Sequence, residues 1–464
     1  MENCGQRKSK RQKILSSKWI FKEKANGQNK ARLVIRGFEQ NFGVDFEDVF
    51  SPVVNSCSLR MLFALVAKRN YRVITFDIKT AFLYGKLEED IFMQPSQGYD
   101  YGNKVCKLKK ALYGLKQVPL RWNETFTNTL RERGLQPLKT EQCIFKNKKR
   151  TLILGIYVDD AILLGHDEDE MNDLLKVLGD LYDMTIDRKP KSFLGIEIEK
   201  STNKLKLTQR SYSKCLLKKL KMDKSKPVST PLCKAEEVET KGKANYTYRE
   251  AIGSLLYLST KIRPDIAQAV GFTSRYVNNP TDQRIMDVKR ILRYLNETLD
   301  HGISYTDAHG ETELQAYCDA DYAGDPKTRK STTGYVIYYS GGPISWCSRK
   351  QPIVTTSSTE AEYISAADCC KDILYIKSLL EELLGKTVSA QLNIDNQSAI
   401  KLIKDGVVNR RSKHIDVKYH FIHEKVKQKI VRIEYCPTDK QLADLFTKPL
   451  NKNKFVMCRN NLVD

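Results

Sequence analysis

No C-x-x-C pair occurs among the 12 cysteines, which leaves the chain without the paired thiols of a zinc ribbon or of a secreted disulfide scaffold. Reduced thiols in an intracellular protein are the expectation instead. No segment approaches the roughly 18 uninterrupted apolar residues of a membrane span. The basic N-terminus is followed by no apolar stretch of signal-peptide kind, so no membrane partner is expected. Acidic side chains are in deficit, with 56 Asp and Glu against 78 Lys and Arg, a formal charge of +22 and a pI near 9.3. That balance points to a polyanionic partner such as nucleic acid. Internal repeats and long low-complexity tracts are also missing.

The positive charge is clustered. Residues 1–36 carry eleven Lys or Arg against Glu2 and Glu23, and residues 200–230 carry ten against Asp223 alone. The first dozen residues read as a solvated tail. At 464 residues, 41% hydrophobic and 29% charged, the chain is a folded protein too long for one core,.

The pattern falls into three stretches. KWIFKEK and ARLVIRGF read as two short strands joined by ANGQN, SLRMLFALVAKRN as a helix over 58–70, and YRVITFDI as a strand ending on Asp77,. ILGIY and AILL form an apolar hairpin around Asp159 and Asp160, and KSFLGIEIEK is a further strand. After a Lys-rich, Pro-bearing connector come amphipathic helices, from YREAIGSLLYL to DQRIMDVKRILRYL,. From about 312 strands restart, LQAYCDADYAG, YVIYYS and PISWCS, before the helix TEAEYISAADCC, the strand AQLNID and the helix QSAIKLIKD. The whole reads as α+β and multidomain.

Two adjacent aspartates in an apolar run are costly, because each is poorly solvated and repels the other. One reading is a hairpin turn with Asp159 and Asp160 at a solvated tip. The other is a cation site, in which Asp77 at a neighbouring strand end supplies a third carboxylate. Magnesium takes oxygen ligands of this kind together with substrate phosphates.

With KWIFKEK, KARLVIRGFEQNFGVDFEDVFSPV, FDIKTAFLYGKLEEDIFMQP, LYGLKQVPLRW, YVDD and FLGIEI in this order, the chain resembles the reverse transcriptase and RNase H region of a copia-type LTR retrotransposon Pol polyprotein. The resemblance runs from about residue 17 to 450. It implies a right-hand polymerase of fingers, palm and thumb followed by an RNase H-like α/β domain. The divisions it suggests are a basic segment over 1–16, fingers and palm over 17–200, a Lys-rich linker and helical thumb or connection over 201–311, the RNase H-like domain over 312–450 and a tail over 451–464.

The same resemblance makes Asp77, Asp159 and Asp160 the metal-binding carboxylates of the palm. It makes Phe82 an aromatic that clashes with a ribose 2′-hydroxyl, although without the family context it reads as ordinary core. Lys30 and Arg32 match fingers residues that meet the triphosphate, against the plainer reading of a solvated hairpin edge. Gly114, Lys116 and Gln117 match the segment that packs the nucleotide and template, where Val118 and Leu120 depart from the small residue and Arg of the family. FLGIEI resembles the primer grip.

In the C-terminal stretch the resemblance assigns Asp319, Glu362, Asp395 and Asp444 as a second set of catalytic, metal-binding acids. Glu360 competes with Glu362, and Asp321 with Asp319. The implied cofactor is Mg²⁺, two ions per active site, with Mn²⁺ as a substitute. The implied partners are an RNA template, a DNA primer, an RNA–DNA hybrid and dNTPs, in the cytoplasm within a virus-like particle and in the nucleus, with dimerisation left open. The His that many RNase H enzymes place before the last Asp is not evident in YCPTDKQLAD. His414, His420 and His423 read as a basic helix facing nucleic acid rather than a zinc site.

No D-[ST]-G protease signature and no H-x-x-x-H with a downstream C-x-x-C is present, so the chain resembles a fragment of Pol. The rival expectation is a degenerate or domesticated copy that binds nucleic acid without catalysis.

Overall fold

The computed structural model describes residues 2–4, 13–23, 27–98, 104–233, 247–306, 313–406 and 416–464, with the side chains of 2–4 and 416–420 outside the description. Most of the tail over 1–16, much of the Lys-rich linker, His414 and the His420 side chain therefore lie outside it. The chain forms two compact units, one of residues 1–54 and 72–189, the other of 55–71 and 190–464.

In the first unit, β-branched and aromatic alternation builds a six-stranded antiparallel sheet. Its order is Met184–Asp187, Arg72–Ile78, Asp160–Gly165, Leu152–Tyr157, Ile144–Asn147, Leu135–Pro137. One face is covered by the helices Val118–Glu132 and Glu168–Leu181, whose Trp122, Phe126, Leu130, Met171, Leu175 and Leu178 bury against Phe76, Leu154 and Leu163. Asp167 caps the second helix by accepting from Asp169 N and Glu170 N,. The strands Ser17–Glu23 and Asn29–Ile35 pair as a separate hairpin, with Ile20 opposite Arg32.

The second unit begins with the helix Ser56–Arg69, capped by Asn55, which accepts from Ser58 N at 2.8 Å. Its Arg60 is buried without a carboxylate. Instead the guanidinium donates to the carbonyls of Ile344, Thr260 and Lys261 and lies 3.9 Å from the Trp346 ring centroid, which satisfies the charge where water is excluded. The FLGIEI stretch is two strands, Ser192–Phe193 and Ile196–Lys200, broken where Leu194 and Gly195 turn through φ 49° and 77°.

The helices Tyr248–Lys261, Ala267–Ser274 and Asp282–Glu297 share this unit with the C-terminal sheet. A buried network holds them: Arg263 donates twice to Asp265 at 2.9 and 2.7 Å, and Tyr294 Oη donates to Asp265 at 2.7 Å. The five-stranded sheet has the order Gly342–Lys350, Thr332–Tyr339, Glu313–Asp321, Ser389–Ile394, Arg432–Tyr435. The first three strands are antiparallel and the last two run parallel to Glu313–Asp321. The helix Ser358–Leu384 lies across it. In chain order this is a 3-2-1-4-5 mixed sheet, the RNase H-like arrangement that the sequence implied. No helix among the described residues is long and apolar enough to cross a membrane.

Candidate active sites

Strand register places the first cluster. Asp160 opens its strand directly opposite Asp77 on the neighbouring strand, and Ile78 N donates to Asp159 O at 2.9 Å. Tyr157 and Asp160 close a two-residue hairpin turn made of Val158 and Asp159. Val158 has φ 61°, a conformation that glycine adopts freely and a β-branched residue adopts at a cost of about 1–3 kcal/mol. Trp122 Nε1 donates to Val158 O at 2.7 Å and fixes the turn from the helix beneath.

The three carboxylates are half-buried rather than at a solvated tip. Burial pushes the Asp160 carboxyl up to about 6, with Asp159 and Asp77 adding repulsion. Their oxygens do not converge as tightly as those of the second cluster, which is the only trio of potential ligands within 4.8 Å of one another among the described residues.

Several residues singled out in the sequence gather near these acids, together with one that was not. The Phe82 ring lies 5.2 Å from that of Tyr113, and the Arg32 guanidinium lies 5.2 Å from the Tyr113 centroid. Burial raises the Tyr113 phenol, Arg32 opposes this, and Asp159 and Asp77 raise it further. One phenol thus senses the Arg32 cation of the 17–35 hairpin and two of the acids. The signal for Tyr113 was its place inside LYGLKQ, immediately before Gly114.

Gly114, Lys116 and Gln117 sit differently. Gly114 has φ +98°, and a Cβ there would meet Ile35 O at 2.0 Å. Gly114→Ala is expected to destabilise the chain by about 2 kcal/mol or more, read as a lowered urea midpoint. Gln117 is fully buried, donating to Asp45 O at 2.9 Å and accepting from Gln40 at 3.1 Å. Lys116 is exposed, with its ammonium 4.5 Å from the Phe46 centroid. Lys30 is half-buried on the hairpin, opposite Lys22.

The second cluster is built by parallel strands and one helix. Tyr317 pairs with Asn393, so two residues further along lie Asp319 and Asp395. Glu362 comes from the first turns of the helix Ser358–Leu384, and Asp444 from the 3-10 turn Leu442–Phe446. Asp319, Glu362 and Asp395 bring carboxylate oxygens within 4.8 Å of one another. Glu360 is spent elsewhere, accepting from Thr356 N and Oγ1 at 2.6 and 2.8 Å while Ser357 caps the helix,.

Asp319 and Glu362 are 3% and 5% exposed. Burial, with Asp319 and Asp395 adding repulsion, lifts the Glu362 carboxyl far above the ordinary range, and its Oε2 is buried without a hydrogen bond. Asp395 accepts from Thr438 Oγ1 at 2.9 Å and Asp319 from Thr447 Oγ1, and an all-oxygen set with one orphaned oxygen fits a hard divalent cation. Asp444 instead faces ammonium groups, Lys448 at 2.6 Å and Lys454 at 3.5 Å. Both lysines escaped the sequence reading, although Lys448 stands four residues after Asp444, a readable ion-pair spacing on a helical turn. His423 Nδ1 lies 2.9 Å from Ile403 O.

A family model described as "Reverse transcriptase (RNA-dependent DNA polymerase)" matches residues 6–234. The Retrovirus-related Pol polyprotein from transposon TNT 1-94 of Nicotiana tabacum is 38% identical, over 96% of this chain and 35% of its own length. The corresponding protein from transposon RE1 of Arabidopsis thaliana is 37% identical, over 95% and 31%. The Truncated transposon Ty1-A Gag-Pol polyprotein of Saccharomyces cerevisiae is 26% identical, over 97% and 40%. The chain spans about a third of the length of the plant relatives. Among solved structures, a foamy viral protease-reverse transcriptase in complex with dsDNA is similar at a TM-score of 0.48 and 13% identity, covering 91% of this chain and 78% of that one. LC11-RNase H1 is similar at 0.23 and 18%, covering 29% and 93%. Residues 6–234 thus match the reverse transcriptase family, and most of the chain is similar to copia-type Pol polyproteins.

Proposed function

We propose that the chain is an RNA-directed DNA polymerase that also hydrolyses the RNA of an RNA–DNA hybrid. The observation that carries this reading is the register that sets Asp160 opposite Asp77, with Asp159 on the strained turn that leads into Asp160. Magnesium held by these acids, and by Asp319, Glu362 and Asp395 in the second cluster, would supply the charge stabilisation of phosphoryl displacement and hydrolysis.

The chain's own residues do the rest. Asp77, Asp159 and Asp160 hold negative charge where water is partly excluded, and so favour a cation and the phosphates that accompany it. Arg32, stacked on Tyr113, offers a charge-assisted donor to a triphosphate,. Phe82, braced by Tyr113, presents an apolar wall to the sugar of an incoming nucleotide. The basic surface tracks duplex phosphates irrespective of sequence. We assign residues 17–200 to the fingers and palm, and the connector and helices over 201–311 to a thumb or connection.

The test is one reaction with labelled RNA template, DNA primer, dNTPs and Mg²⁺. This reading expects a lengthened DNA and a shortened RNA; binding of the hybrid with neither product would establish the binding-only alternative. Phe82→Ala is expected to raise rNTP over dNTP incorporation by about 10- to 100-fold, scored by alkali-sensitive products.

A further inference from the structure

The four acids of the second cluster do not share one environment. Asp319, Glu362 and Asp395 face one another, and the buried Glu362 Oε2 has no hydrogen-bond donor. Asp444 is instead neutralised from two sides. Lys454 approaches its Oδ2 at 3.5 Å and is anchored by the carbonyls of Thr438 and Asp439, both at 2.6 Å. Lys448 meets Oδ1 at 2.6 Å and reaches Asp319 Oδ2 at 3.7 Å. The Lys448 ammonium therefore stands on the edge between Asp319 and Asp444, two carboxylates that would hold a second divalent ion.

The two lysines differ in freedom. Lys454 has three acceptors and an 18% exposed side chain, whereas Lys448 is 36% exposed, pairs with Asp444 and Asp319 and also feels the charge of Asp321. An ammonium on a four-carbon stem can leave such an edge without moving the backbone. Replacing it with a divalent ion adds one positive charge to the edge, at the expense of the Asp444 ion pair.

We propose that Lys448 is a resident, displaceable counter-cation: the cluster takes one divalent ion on Asp319, Glu362 and Asp395, and admits a second beside Asp444 only by expelling the Lys448 ammonium. Lys448 is thus a positioning residue that sets the cation concentration at which the site is fully loaded. The inference rests on the reading of this cluster as a metal site, and the measurement below separates the two.

Mn²⁺ binding is measured by calorimetry on the full chain carrying Asp159→Asn and Asp160→Asn, which removes the first cluster's charge. The expected result is one tight and one weak event, with Lys448→Met strengthening the weak event by about tenfold or more and Lys448→Arg leaving it weak. Absence of the tight event, or its persistence in Glu362→Gln, removes the metal-site reading and the proposal with it. A tight event that needs Glu362, followed by a weak event indifferent to Lys448→Met, overturns the proposal alone. Should Lys448→Met fail to fold, reductive methylation of the unsubstituted chain answers the same question. Lys448 labelling, read by peptide mass spectrometry, is expected to rise with Mn²⁺ in the range of the weak event, and labelling unaffected by Mn²⁺ overturns displacement.

Discussion

Asp160→Asn is expected to reduce RNA-templated primer extension by about 10³-fold or more, while raising the melting temperature of the metal-free chain at neutral pH. Both effects have one cause. Asp160 is half-buried beside Asp159 and opposite Asp77, and its carboxyl is pushed from 3.8 up to about 6. Because the folded value lies above the unfolded one, folding disfavours the charged form. The cost is absent below about pH 4, grows between there and about pH 6, and is complete above it. A two-unit shift corresponds to about 2.7 kcal/mol, which solvent screening of a half-exposed group reduces to about 1 kcal/mol. Asparagine removes that repulsion together with the charge that a cation needs. Thermal melts of parent and variant with chelator, at neutral pH and near pH ~4, should differ at the first and coincide at the second. Adding Mg²⁺ should stabilise the parent more than the variant. A variant that extends normally would mean that Asp160 holds no catalytic cation.

Glu362→Gln is expected to abolish cleavage of RNA in a hybrid, by about 10³-fold or more, and to leave primer extension intact. Glu362 belongs to a different compact unit from the YVDD turn. Its carboxyl is buried among Asp319 and Asp395 and lifted far above the usual range. In the absence of metal the glutamine is therefore tolerated, and the chain should melt no lower than the parent near neutral pH. The discriminating readout is a gel that resolves both strands: full-length DNA product with uncut RNA. Loss of both activities together would show instead that the variant had unfolded, or that the clusters are not independent.

The first cluster was legible in part: an apolar strand ending on Asp77 and an apolar hairpin interrupted by two acids allow the three carboxylates to meet at one sheet end, and only the resemblance to copia-type Pol favoured that over a solvated hairpin tip. The second cluster was legible only as a set, since Asp319, Glu362 and Asp395 are individually ordinary. The likeness of EYISA to the family's catalytic-helix start favours Glu362 over Glu360, and in the structure Glu360 accepts from Thr356 at the helix cap.

What the sequence concealed depended on partners far along the chain. The resemblance places Gln117 in the segment that packs nucleotide and template, yet its hydrogen bonds are taken by Gln40 and Asp45, some seventy residues earlier. Arg60 lies in an apolar helix as an apparent misfit, and only carbonyls of residues 260, 261 and 344 explain it. The break in FLGIEI is local, at Leu194 and Gly195, where a glycine after an apolar pair was a signal that strand composition outweighed. Tyr113 was hidden by its neighbours, since an aromatic beside a turn glycine looks like packing until Arg32 and Phe82 are found against it.

The central claim is that the acids around the YVDD turn perform nucleotide addition. The most direct measurement is Mg²⁺-dependent extension of a DNA primer on an RNA template by the full chain, beside Asp159→Asn/Asp160→Asn. The account predicts extension by the parent that stops with chelator, and none by the folded variant, which still shortens the RNA strand. Extension by the variant, or a folded parent that binds the primer–template and adds no nucleotide, would contradict it.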